Sequence, residues 1–141
     1  MKTLQEEKSI LINYKKSVII NNMYINNTFY YQIYEEAYND IINGLKNIEF
    51  RLLDDNNSKI KKNDIIIFNV LNNDKSSVKV KVNDKIIFND VNQLWDNKKI
   101  LNDHFLNLNK EEFIKIFNNI FGEEAVKSNK IIAIKFSVLE N

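Results

Sequence analysis

At 141 residues the chain has the length of one domain, and 44% hydrophobic with 28% charged residues places it among globular rather than disordered proteins. The absence of cysteine and the single histidine, His104, exclude a disulfide scaffold and a thiolate or His-rich metal site, so neither a metal nor a cofactor is expected. A net charge of +1 gives no whole-molecule field to draw a polyanion, and any nucleic-acid contact must come from local clustering.

Residues Met1 to Lys8 carry both signs of charge, and no apolar run approaches the ~18 residues a membrane span needs; the expectation is a soluble cytoplasmic protein without membrane contact. The abundance of Asn, Lys and Ile, with no proline, is read as the coding bias of an AT-rich genome. Against that background the single arginine, Arg51, stands out. Residues 1–27 read as an N-terminal extension whose Ile10, Leu11, Val18, Ile19 and Ile20 are too apolar to leave in water, so it is expected to pack on a domain covering 28–141.

From Thr28 the run TFYYQIY is rich in aromatic and β-branched residues and predicts a strand to about Tyr34, its aromatics mostly core. A short helix follows in EEAYNDII. Ala37, Tyr38, Ile41 and Ile42 recur at helical spacing, Glu35 and Glu36 suit the N-terminal dipole, and Gly44 is placed as the stop. NIEFRLL alternates, which turns Ile48, Phe50 and Leu52 to the core and Glu49 and Arg51 to the other, exposed face. DDNNSKIKKND reads as a solvated turn, DIIIFNV as a buried strand with Ile65 and Ile67 in the core, and LNNDKSS as a hairpin loop. In VKVKV, Val78, Val80 and Val82 face in while Lys79 and Lys81 face out.

IIFNDVNQLW predicts a strand end and a short helix burying Val91, Leu94 and Trp95, and DNKKILNDHFLNL an irregular connection containing His104. The clearest helix is Lys110 to Phe121. It has Asn109 as N-cap, Glu112 completing a capping box, a stripe of Phe113, Ile116, Phe117, Ile120 and Phe121, and Gly122 after its end. IIAIKFSVL predicts a last strand with Ile132, Ile134, Phe136 and Val138 inward. The acidic pairs Asp54-Asp55, Glu111-Glu112 and Glu123-Glu124 fit turns and helix starts better than a metal or hydrolytic site.

The order and spacing of Gly44, Lys46, Glu49 and Arg51 after a helix, with an Ile-rich strand about a dozen residues on, resemble the ASCH domain of the PUA-like superfamily. Where the family commonly has Gly-Asp before that strand, this chain has Asn63-Asp64, and Asn also tolerates positive φ. The resemblance implies an α+β fold, a small mixed β-barrel flanked by short helices, and a cleft suited to RNA or a modified nucleoside.

In that cleft Lys46 serves as a point charge, Glu49 as an acceptor or orienter, and Arg51 as a planar two-pronged donor. The competing reading is a plain surface ion pair between Glu49 and Arg51, worth under about 1 kcal/mol. Lys79 and Lys81 form a candidate rim for a phosphate backbone, or only the solvated face of a strand. No catalytic residue is assigned. A relative in the superfamily deacetylates N4-acetylcytidine but has threonine where Glu49 stands, so a small RNA or nucleoside hydrolase is the alternative to a binding module. A regulatory protein-interaction domain is the third reading.

Overall fold

The computed structural model describes residues 27–97 and 108–139, together with the backbone of three short strands before them, β1 (Lys15–Lys16), β2 (Ile19–Ile20) and β3 (Met23–Tyr24). The expected packing of the N-terminal extension's side chains, and His104, lie outside the described residues. Then come β4 (Thr28–Ile33), α1 (Glu35–Ile42), β5 (Ile48–Leu52), β6 (Ile65–Val70), β7 (Asn73–Phe88), α2 (Val91–Asp96), α3 (Lys110–Phe121), α4 (Glu123–Ser128) and β8 (Ile131–Val138). The main sheet has the order β1-β4-β6-β7-β8-β5 and curls into a half-barrel, an α+β fold. Its pairs are antiparallel except β4 with β6, whose parallel register from Thr28↔Ile65 to Ile33↔Val70 requires the crossover that α1 and β5 supply. Among the described residues no helix is long and apolar enough to cross a membrane.

Local signals explain several boundaries. In α3, Asn109 accepts from the Glu112 N–H at 2.9 Å while the Glu112 carboxylate accepts from the Asn109 N–H at 3.0 Å, the reciprocal capping box. Gly44 stands at φ +76° just past α1, and Asn63 at φ +75° makes the turn that glycine would otherwise make. The turn holds because the buried Asp64 carboxylate accepts from the Lys61 N–H at 2.9 Å and the Asn27 N–H at 3.2 Å.

The apolar residues form two clusters, one on each side of β8, rather than the single shared core expected. Inside the curl lie Phe29, Tyr31, Phe68, Val80, Ile134 and Phe136. On the outside, Ile48 joins Phe113, Phe117 and Phe121 of α3, with Phe50 half-buried against them. β8 is buried on both faces, so Ile131 and Ala133 are as inaccessible as Ile132 and Ile134, whereas Val138, expected inward, is 45% exposed at the strand's end.

The phase of β6 is opposite to that expected. Ile66, Phe68 and Val70 are buried, while Ile65 and Ile67 are half-buried on the outer face opposite Lys81 and Lys79. An all-apolar run carries no alternation of its own, and the phase comes from pairing Ile66 with Val80 and Phe68 with Val78. The hairpin loop is also shorter than expected, because β7 begins at Asn73 and only Leu71 and Asn72 turn, with Asn72 at φ +64°. The segment read as solvated buries Asn57 and Ile60. Asn57 bridges the strand end by donating to the Leu52 carbonyl at 2.8 Å and accepting from the Asp54 N–H at 2.8 Å. Trp95, expected in the core, is half-buried.

Candidate nucleotide-binding cleft

Lys46, Glu49 and Arg51 are brought together by a turn and a strand register. After Gly44 ends α1, the Leu45 and Lys46 N–H groups both donate to the Asp40 carbonyl, at 2.8 and 3.1 Å, which fixes where the Lys46 side chain leaves the backbone. Among the described residues β5 is an edge strand bonded to β8, with Glu49 opposite Ile134 and Arg51 opposite Ile132. Because Ile132 and Ile134 face the inside of the curl, Glu49 and Arg51 face it too.

The expectation that these two charges occupy an exposed face is therefore corrected: Glu49 is 7% and Arg51 5% exposed. The outer face of β5 is covered by α3 and the inner face by the barrel, so no solvated side remains for them. The Glu49 carboxylate accepts from Arg51 Nη2 at 2.9 Å and Nε at 3.2 Å through Oε2, and meets Lys46 Nζ at 3.0 Å through Oε1. Burial alone would raise the pKa of Glu49. The Lys46 and Arg51 charges outweigh it and hold the carboxyl at about 2.

Tyr31 on β4 completes the group. The Arg51 guanidinium carbon lies 4.7 Å from the centre of its ring, a cation–π contact between β5 and β4 across the curl of the sheet. Burial pushes the Tyr31 hydroxyl up, against the opposing pull of the Arg51 charge, and this oxygen has no hydrogen-bond partner among the described residues. Arg51 is thus clamped between a carboxylate and an aromatic face.

A cavity of ≈ 170 Å³ opens beside this group. Lys46, Glu49 and Arg51 line it together with Ile33, Tyr34, Ala37 and Phe50, and with Ile116, Phe117, Ile120 and Phe121 of α3. Lys46 is the most accessible of the charged trio, its side chain 21% exposed against 6% for Arg51. Lys79 and Lys81 are not brought to this cleft. They alternate with the inward Val78, Val80 and Val82 and project from the opposite face of the sheet, Lys79 exposed and Lys81 half-buried.

Sequence reasoning found the three charged residues and missed their surroundings. Tyr31 is one of several aromatics in a first strand, and nothing in its local sequence tells of a cation over its ring. The α3 wall had one signal: a stripe of five apolar positions is wider than one packing face needs, and Ile120 remains 36% exposed at the cleft. The acidic pairs behave as read, with Asp54 accepting from the Asn56 and Asn57 N–H groups and Glu112 serving the capping box. No cluster of potential metal ligands occurs among the described residues.

No family model matches the sequence, and comparison with curated proteins finds no match. Solved structures do match. The chain is 30% identical to hypothetical protein PH0355, covering 77% of this chain and 95% of that one with a TM-score of 0.62. It is 26% identical to protein PF0455 from Pyrococcus furiosus, covering 81% and 99% with a TM-score of 0.60. A point mutant of ZmASCH from Zymomonas mobilis shares the fold at 17% identity and a TM-score of 0.53, over 78% of this chain and 68% of that one.

Proposed function

Because the chain belongs to the ASCH family, we propose that its cleft is an RNA-binding site that takes a single-stranded or modified nucleotide. The supporting observation is the mixed lining of one cavity, in which two cations flank the Glu49 carboxylate and α3 contributes apolar side chains. A nucleotide has the matching halves, a ring face that gains by leaving water and a polar edge or phosphate that needs charged partners. The trio carries a net single positive charge, which favours a polyanion at the cleft without a strongly basic protein.

The position of Glu49 weighs toward binding rather than hydrolysis. A general base works best with a pKa near the working pH, and a carboxylate held at about 2 by two cations is a weak proton acceptor. Its role in this reading is to hold Lys46 and Arg51 in place and to present an acceptor. Lys46→Ala tests the proposal, because Lys46 is accessible and its loss leaves the Glu49–Arg51 pair intact. Affinity for a panel of short RNAs should fall by about 1 kcal/mol or more, with a shallower salt dependence, measured at a temperature where the variant is fully folded because Glu49 loses one of its two cations. Unchanged affinity would remove the cleft as the reader.

A further inference from the structure

Resting on the RNA-binding reading of this cleft, we infer that Tyr31 is a positioning residue for the nucleotide: its ring fixes Arg51 and, through Arg51, the charged group that the cavity presents. Tyr31 lies outside the lining of the cavity, so it acts without touching the ligand. The cavity takes Ile33 from the end of β4 and Glu49, Phe50 and Arg51 from β5, and these two strands are not neighbours in the sheet. Among the described residues no backbone ladder between them sets the distance across it. Side-chain contacts do so instead, and the Arg51 guanidinium over the Tyr31 ring, at 4.7 Å, is one that joins the two strands directly.

The two members of this contact are unequal. The ring is held by the sheet: its register partner Phe68 on β6 stacks beside it with centroids 6.2 Å apart, and Phe68 packs at 5.5 Å on Phe136 of β8. Arg51 is held less firmly by its carboxylate. Nε and Nη2 both donate to Glu49 Oε2, at 3.2 and 2.9 Å, whereas a fork on two oxygens would fix the guanidinium plane. A grip on one oxygen leaves a pivot, and an aromatic face against the cation restrains it. Glu49 Oε1 meets Lys46 Nζ at 3.0 Å, so a carboxylate that turned to follow Arg51 would carry with it the most accessible cation of the cleft. Position is thus handed from Tyr31 to Arg51, then to Glu49 and to Lys46.

The ring carries this role and the hydroxyl does not. The Tyr31 oxygen is buried with no hydrogen-bond partner among the described residues, and burial keeps it protonated, so the cation meets a neutral ring. Phenylalanine offers the same face without the stranded hydroxyl. Methionine fills much of the same apolar space but has no aromatic face, which makes it the substitution that separates filling from holding.

Arg51 is the single arginine of the chain, so its Nε–Hε group gives one unambiguous NMR signal. In the wild type this signal should show a nuclear Overhauser contact to the Tyr31 ring protons, and its absence overturns the inference without any variant. Tyr31→Phe should leave the signal in place and bind short oligo-U, oligo-C, oligo-A and oligo-G within about twofold of the wild type, read by fluorescence anisotropy where every protein is folded. Tyr31→Met should displace the signal as the ring current is lost, and weaken RNA binding roughly three- to tenfold. Val80→Ala, which thins the same core cluster from β7, should lower the melting temperature and leave both readouts unchanged. Wild-type affinity in Tyr31→Met, a loss in Tyr31→Phe equal to that in Tyr31→Met, or an equal loss in Val80→Ala overturns the positioning role. If Lys46→Ala still weakens binding in that case, the RNA-binding reading survives. A wild type that binds none of these RNAs overturns both.

Discussion

Strands β5 and β7 both alternate charged with apolar residues, yet the charges of β5 are buried while those of β7 look outward. Alternation fixes that two faces differ, not which face the fold covers. In β7 the valines meet β6 and β8 partners inside the curl, and Lys79 and Lys81 project from the outer face. In β5 the apolar residues meet α3 outside, and the charges are left for the interior. An interior charge persists only when its partners replace water, and Glu49 has both cations while Arg51 has Glu49 and the Tyr31 ring. The difference teaches that identical patterns yield a solvated surface on one strand and a preorganised polar site on the other.

The sharpest way to break this comparison is to remove one member of the buried group and to set the loss beside an apolar one. Phe117→Ala, which empties a position touching Phe50, Phe113 and Phe121, should cost ~3–5 kcal/mol in denaturant melts at any pH. Arg51→Ala should cost about 3 kcal/mol at neutral pH, because it leaves Glu49 buried with Lys46 alone. This departs from the expectation that Arg51 occupies an exposed face. A loss below about 1 kcal/mol would return Arg51 to the class of surface ion pairs.

The same group predicts a pH dependence of stability. Glu49 titrates at about 2 in the folded protein against an ordinary 4.5, so its contribution is fully present above about 4.5 and is lost as pH falls through about 2. Stability should therefore decline across that window by on the order of a few kcal/mol, and Glu49→Gln should flatten this part of the profile. Arg51→Ala should converge toward the wild type in the same range, since a protonated Glu49 no longer needs a cation. If the two proteins remain equally far apart from pH 7 down to pH 2, charge on Glu49 is not what Arg51 serves.

Much of the scaffold was legible because its signals are local. The capping box of α3, the stop at Gly44, the positive φ at Asn63 and the inward valines of β7 each depend on neighbours within a few residues. The phase of β6 was not legible, because Ile65, Ile66 and Ile67 are chemically alike and only the register with β7 separates them. At the site, the spacing of Lys46, Glu49 and Arg51 marked the residues, but which face of β5 is covered from outside depends on α3, which begins about sixty positions later in the chain. The Tyr31 contact is of the same kind. It forms because the sheet curls until β4 and β5 face each other, a consequence of the whole fold.

The smallest effect is expected on the other strand. Lys79 and Lys81 contact no part of the cleft and stand on the sheet's opposite face, so their joint replacement by alanine should leave stability within about 0.5 kcal/mol. If they guide the RNA backbone as it leaves the cleft, each lysine neutralises one phosphate, and the slope of log affinity against log salt should become shallower by ~1.4 for a single strand. The loss should be uniform across oligo-U and oligo-C, because a phosphate carries no base identity. Lys46→Ala should instead lower affinity by an amount that depends on the RNA, since Lys46 lines the cavity proposed to take the base. Salt titrations of both variants on both RNAs thus separate a residue that positions from one that reads. A double variant that lost the preference for one base would place Lys79 and Lys81 at the reading site, and the division between the two strands would fail.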